Sequence, residues 1–367
     1  LVLRIFTRRS NDVAYFTDDR AHELDGLRDG GPGWWLRGEG DVRKPLDVAR
    51  VLSTTERSQI QGYDLVFAAP RPVSILVALD PSSAPGVIEA HRQSVRATVE
   101  YLEERALVVR DRRDGMERDE RGRWSSIVSF THGINRHGEP HLHDHVLVGA
   151  RLENARTVLD SRSLFVHAKT ADALYRSSLR HELGERTPWV AWRSFQGIEH
   201  VEGLDEGYRA LWGGHFNQRG EKLSWQRSEV VASWNRDRQR FESQGSIEGP
   251  RTHRTDLDEH SFAGSLEGRF EVARRHIVEA WANAARFGQS PRDVARSIDT
   301  LYPTLADSRG VREMSIGVAQ ARMTGLVREK GPRPLGERDL HEWSHRSRDR
   351  SDRSDRSDRS DRSDRSR

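Results

Sequence analysis

Short apolar runs separated by longer polar stretches mark out the elements of this chain. Leu1-Val2-Leu3-Arg4-Ile5-Phe6 and Tyr63-Asp64-Leu65-Val66-Phe67 are dense runs of strand length. Between them lies a polar, helix-compatible stretch at 11–27 and a Gly/Pro break at 29–33. The spacing predicts a helix over 71–79 and a longer amphipathic one over 85–105, with Ile88, Val95, Val99 and Leu102 on one side. Runs at 106–110 and 124–131 flank a charged segment at 111–122, and predict a hairpin around it. A further strand is expected at 141–152, and a helix at 164–183 with Leu174, Leu179 and Leu183 among its apolar positions. From about residue 224 the pattern turns helical, most clearly at 228–241 and 270–287, with the turn signal Glu248-Gly249-Pro250-Arg251 between them. Strands that alternate irregularly with helices and return by hairpins predict an α+β fold. Its sheet should be mainly antiparallel and flanked by helices, with a helix-rich C-terminal part.

The signal fades over 300–343, and 346–367 is a Ser-Asp-Arg repeat without an apolar residue, expected to be a disordered tail. Three regions follow: a main domain over 1–290, a helical extension over 291–345 and the tail over 346–367. The tail also accounts for the formal charge of +3. It holds nine Arg and six Asp of the chain's 60 basic and 57 acidic residues, so the body is balanced. Any nucleic-acid surface must therefore come from local segregation of charge. There is no cysteine, which excludes disulfides and thiolate chemistry. No apolar run is long enough to span a membrane, and the first residues lack the shape of a signal peptide, so the expected location is cytoplasmic with no membrane partner.

Five of the sixteen histidines fall within fourteen residues, at His132, His137, His141, His143 and His145. Residues two apart on a strand share a face, so His143 and His145 can present two imidazoles together. His132, following Ile127-Val128-Ser129-Phe130, can add a third from a neighbouring strand. Such a set suits an open metal site. His141 shares the face of His143 and His145, and pattern alone does not choose between them.

These residues also resemble a known family. His132, Pro140 and the His143-x-His145 pair, followed by an apolar strand, are similar to the three-histidine motif of conjugative relaxases of the TrwC/TraI (MobF) type, within the HUH endonucleases. Gly62-Tyr63-Asp64-Leu65-Val66-Phe67-Ala68-Ala69-Pro70-Arg71-Pro72-Val73-Ser74 resembles that family's G-Y-D-L-x-F-x-x-P-K-S-V-S segment, with Arg71 in place of lysine and Pro72 in place of serine. Leu159-Asp160-Ser161-Arg162-Ser163-Leu164-Phe165 resembles the segment after the histidine strand. The resemblance covers roughly 1–290.

It implies site- and strand-specific nicking and joining of DNA at a transfer origin through a covalent 5′-phosphotyrosine. His132, His143 and His145 would be the metal ligands, with Mg²⁺ or Mn²⁺ as the ion and Zn²⁺ as the alternative. Tyr15 lies just after the first strand, where the family places its nucleophile. A tyrosine hydroxyl ionises near 10 and needs activation. Asp64 would fix a ligand imidazole or help deprotonate the tyrosine. Arg71, Arg136, Arg162, Arg251 and Arg254 are candidate DNA contacts. Trp225, Trp234 and Phe241, interleaved with Arg227, Arg236, Arg238 and Arg240, suit either single-stranded DNA or a packed helix.

The chain departs from the family's pattern in having no second tyrosine between Phe16 and Gln61, which leaves a two-tyrosine mechanism in doubt. It also lacks a G-x-x-x-x-G-K-[ST] loop, so unwinding would need a separate helicase. Implied partners are single-stranded origin DNA, a coupling protein and type IV secretion machinery. A rolling-circle replication initiator, a non-catalytic DNA-binding remnant and an unrelated metal hydrolase are the competing readings.

Overall fold

The structure, a computed structural model, describes residues 3–17, 33–52, 59–113, 116–135, 137–153, 155, 158–186, 192–195, 198–201, 227–241, 257–266, 269, 271–302 and 315–317. In chain order the first elements are β1 (Leu3–Arg8), α1 (Ala14–Thr17), β2 (Gly33–Arg37), α2 (Pro45–Leu52), β3 (Gly62–Ala68), α3 (Arg71–Leu79) and α4 (Ala84–Arg105). They are followed by β4 (Val108–Arg113), β5 (Met116–Arg121), β6 (Ile127–Ile134), β7 (Pro140–Gly149), α5 (Ser161–Val166) and α6 (Ala168–Arg186). The rest comprises β8 (Trp192–Phe195), β9 (Ile198–Val201), α7 (Arg227–Phe241), α8 (Glu259–Leu266), β10 (Glu271–Ala273), α9 (Arg274–Ala284), α10 (Pro291–Leu301) and β11 (Ser315–Gly317).

The expected α+β architecture is present. Five strands in the order β1-β3-β7-β6-β2 form one sheet, and every pairing in it is antiparallel. Cross-strand partners share a face, so the register sorts the side chains. One face carries Phe6, Asp64, Val66, His143, His145, Phe130 and His132. The other carries Tyr63, Leu65, Phe67, Asp144, Val146 and Ser129. Helices α4 and α6 pack on the second face, where Val95, Val99, Leu102, Leu174 and Leu179 are buried. Among the described residues the first face is only partly covered. There Val13 and Phe16 of the α1 region and Val48, Val51 and Leu52 of α2 pack on Val128, Phe130 and Leu147. Burying these side chains stabilises the arrangement by roughly 1.5–3 kcal/mol each, and it seats α1 at the rim of the open part of the face.

The segment 106–131 corrects the expected hairpin. Residues 111–113 and 116–121 are strand rather than turn: β4 and β5 pair with each other as a separate ribbon, while β6 sits between β7 and β2. The ribbon's register sets Arg110 opposite Asp119, Asp111 opposite Arg118 and Arg112 opposite Glu117. The strand β2 and helix α2 were not foreseen. The helix expected over 164–183 is divided at His167, and the one expected over 270–287 begins at Arg274 because 271–273 pair with 315–317. Of the polar stretch at 11–27, four residues, Ala14–Thr17, are helical, and 18–32 lie outside the described residues. Helix α10, beyond the boundary expected after 290, packs on α6 and α9, and Leu1–Ala321 forms one compact unit. The tail lies outside the described residues. Among those described, no helix is long and apolar enough to cross a membrane.

Candidate metal centre

Strands β6 and β7 place His132 directly opposite His143, and His145 follows two residues along on the same face. One ligand nitrogen from each of His132, His143 and His145 lies within 4.8 Å of the others. The ring centroids are 5.1 Å apart for His132–His143, 5.1 Å for His132–His145 and 5.3 Å for His143–His145. Three converging imidazole nitrogens are a donor set that suits a divalent metal.

Two of the imidazoles are oriented from behind. His145 Nδ1 lies 3.0 and 2.9 Å from the two carboxylate oxygens of Asp64, a buried residue of β3. Donation of the Nδ1 proton to Asp64 leaves the Nε2 lone pair for a metal. His143 Nδ1 lies 2.8 Å from the carbonyl oxygen of His141, with the same consequence. Burial, together with the neighbouring His141, His132 and His145, holds His143 well below the usual imidazole range, so it is neutral and able to ligate. His141 stacks on His143 at 4.6 Å but is not part of the three-nitrogen cluster.

Tyr15 stands at the open side of the cluster. Its ring is 5.7 Å from that of His132 and 6.0 Å from that of His145, edge-on to both. Helix α1 has only four residues, and the Asp12 carboxylate anchors its start by accepting from Ala14 N at 3.0 Å. Phe16 then inserts into the core against Phe130 and His145, with centroids 5.6 and 5.2 Å away. Burial of Phe16 turns the adjacent Tyr15 outward, where it is 49% exposed. Tyr63, Tyr101 and Tyr175 are buried, and Tyr208 lies outside the described residues.

The arginines fare differently. Arg71 opens α3 and is half-buried near Glu139, whose charge opposes the lowering of the Arg71 pKa by burial. Arg162 is exposed on α5, whose first residue, Ser161, bonds Tyr63 on the helix-covered side of the sheet. Arg136, Arg251, Arg254 and Trp225 lie outside the described residues. Trp234 of α7 is buried and donates from Nε1 to the Gly138 carbonyl at 3.0 Å, so it braces the turn between β6 and β7.

Sequence reasoning missed a buried polar network behind the cluster. Asp144, between the two ligand histidines, points to the opposite face and accepts from Ser129 Oγ at 2.7 Å and from Trp34 Nε1 at 3.3 Å. His91 Nε2 lies 2.9 Å from its other oxygen, and Tyr175 Oη lies 2.7 Å from His91 Nδ1. Burial alone would raise the Asp144 pKa, but His91 and the hydrogen bonds from His91 and Ser129 hold it below the usual carboxylate range. An acidic residue at an inward position of a buried strand was the available signal.

An antiparallel sheet presenting three convergent imidazoles beside an exposed tyrosine defines the class of a sheet-borne candidate metal centre. A profile of the TrwC relaxases matches residues 12–254, and the chain belongs to the TrwC relaxase family. A stretch of 110 residues is 32% identical to the multifunctional conjugation protein TraI of Escherichia coli strain K12. That stretch is 30% of this chain and spans 6% of the length of TraI. The fold is similar to that of the conjugative relaxase TrwC solved with oriT DNA. The copper-bound form covers 65% of this chain and 98% of the solved one, at 20% identity and a TM-score of 0.51. A second, metal-bound form has the same coverage, 19% identity and a TM-score of 0.52.

Proposed function

We propose that this chain cuts and rejoins one strand of DNA at a transfer origin, with Tyr15 as nucleophile. The observation that carries the reading is the exposed Tyr15 ring beside His132 and His145, at the open side of the three-imidazole cluster. The Tyr15 hydroxyl oxygen attacks the scissile phosphorus and forms a phosphotyrosine on the 5′ side. The bond from phosphorus to the 3′ oxygen breaks, and that oxygen leaves as a hydroxyl carrying the proton lost by tyrosine. Reversal by a 3′ hydroxyl reseals the strand and frees Tyr15. A divalent cation held by His132, His143 and His145 would supply positive charge to the phosphate oxygens. Magnesium or manganese are the proposed ions, since phosphate and water oxygens suit them, while three imidazoles also accept zinc or copper.

Asp64 engages His145 through both carboxylate oxygens, which supports a role in fixing the imidazole over one as the tyrosine's base. Arg71 is assigned to the DNA path more weakly than its place in the motif implied, because Glu139 competes for it. Nicking is assigned to residues 1–290. Strand export through a coupling protein and a type IV secretion channel completes the proposed setting.

The test is a labelled origin oligonucleotide incubated with the protein and Mn²⁺ or Mg²⁺. A denaturation-resistant protein–DNA adduct is expected from wild type and not from Tyr15→Phe. Absence of the wild-type adduct on its own origin would sink the catalytic reading. An adduct from Tyr15→Phe would move the nucleophile elsewhere.

A further inference from the structure

Among the described residues strand β1 is an edge of the sheet, bonded to β3 on one side. Its register puts Phe6 opposite Asp64, the carboxylate that holds His145. Phe6 therefore stands on the face of the imidazoles, and it is 48% exposed. Arg4 lies two residues away on the same strand face and is also exposed, about 6.8 Å along the strand. Arg8, two residues the other way, is engaged: it donates to the Asp12 carbonyl, and its guanidinium lies 5.4 Å from the Phe16 ring. No ion pair involves Arg4 among the described residues. The edge thus offers an open aromatic ring beside an open cation, one strand away from Asp64.

That pairing matches single-stranded nucleic acid. Every base has a face that stacks on an aromatic ring, and the linking phosphate needs a cation. We propose that Phe6 is a stacking platform for a nucleobase and Arg4 its phosphate contact, together guiding one DNA strand along β1 to the imidazole cluster. This rests on the reading above, and it names where the strand lies. A lone exposed apolar residue is ordinary on protein surfaces. What separates Phe6 from that case is its register opposite Asp64 and the neighbouring Arg4.

The test is fluorescence anisotropy with a labelled mixed-sequence single-stranded oligonucleotide, the full chain and EDTA, so that no cleavage intervenes. Phe6→Leu keeps an apolar side chain at an exposed site and is expected to raise Kd about tenfold, whereas Phe6→Trp should stay near wild type. Arg4→Ser should lower the salt dependence of log Kd by about 0.7. Equal Kd for wild type and Phe6→Leu, or equal weakening by both Phe6 substitutions, overturns the platform. The two readings fail separately. A wild type that forms the tyrosine adduct while Phe6→Leu binds normally removes only the platform. A wild type that binds through Phe6 and forms no adduct removes only the nuclease.

Discussion

Asp144 is flanked in sequence by His143 and His145, yet its carboxylate lies 2.9 Å from His91 Nε2 on the far side of the sheet. Alternation along β7 sends the imidazoles to one face and the carboxylate to the other. Both Asp144 and His91 are completely buried, so this contact ties the histidine-bearing strand β7 to α4 from behind. Asp144→Ala should leave His91, Ser129 and Trp34 without their shared acceptor. The expected loss is about 3–5 kcal/mol of unfolding free energy, read by urea denaturation. A loss under about 1 kcal/mol would show that the network contributes little.

Asp64 acts on the other face, through His145. Asp64→Ala removes the acceptor that sets the tautomer of the His145 ring. Metal affinity, measured by titration calorimetry with Mn²⁺, should fall about 10- to 100-fold. Asp64→Asn retains one carbonyl acceptor and should lie between wild type and alanine.

Gly62 begins the Gly62-Tyr63-Asp64 motif for a steric reason. A Cβ there would come within 2.2 Å of the Val148 carbonyl oxygen and 2.5 Å of Leu52 Cδ2. The first contact is backbone in the adjacent strand, so β3 or β7 must shift to admit alanine. Gly62→Ala should cost about 1–3 kcal/mol in stability, with a matching fall in thermal midpoint.

His167 predicts a pH effect away from the three-imidazole cluster. Burial, with Arg275, Arg105, Arg121 and His276 nearby, lowers its pKa to about 4, and Tyr101 Oη lies 2.9 Å from Nδ1. The folded pKa is below the ordinary value, so between these two the unfolded chain binds the extra proton. The contribution is full above about pH 6.5 and declines as pH falls toward 4, by about 3 kcal/mol at the limit. Urea midpoints between pH 7 and 4 should therefore fall less in His167→Gln than in wild type.

Much of the site was legible because its signals are local. A period of two puts His143 and His145 on one face whatever the partner strand, and the spacing to His132 carried the resemblance to relaxases. Tyr15 was legible by position, but its exposure was not, since that depends on Phe16 finding Phe130 and His145. The charged segment 111–122 was misread because a run of charged residues without apolar alternation carries no strand period, and the pairing of β4 with β5 is a backbone ladder that such a run does not announce.

The sequence alone determined the alternation of faces along the histidine strand, the G-Y-D segment and the α+β class, and its resemblance to the relaxases singled out His132, His143 and His145 from the histidine cluster. Tertiary structure decided which strands flank β6, which face α1 and α2 cover, and what satisfies Asp144. Those outcomes join residues as distant as Leu3 and Asp172, whose side chain accepts from Leu3 N at 2.7 Å. They depend on where whole elements pack, because a buried polar group takes whichever partner the packed elements bring within hydrogen-bond reach.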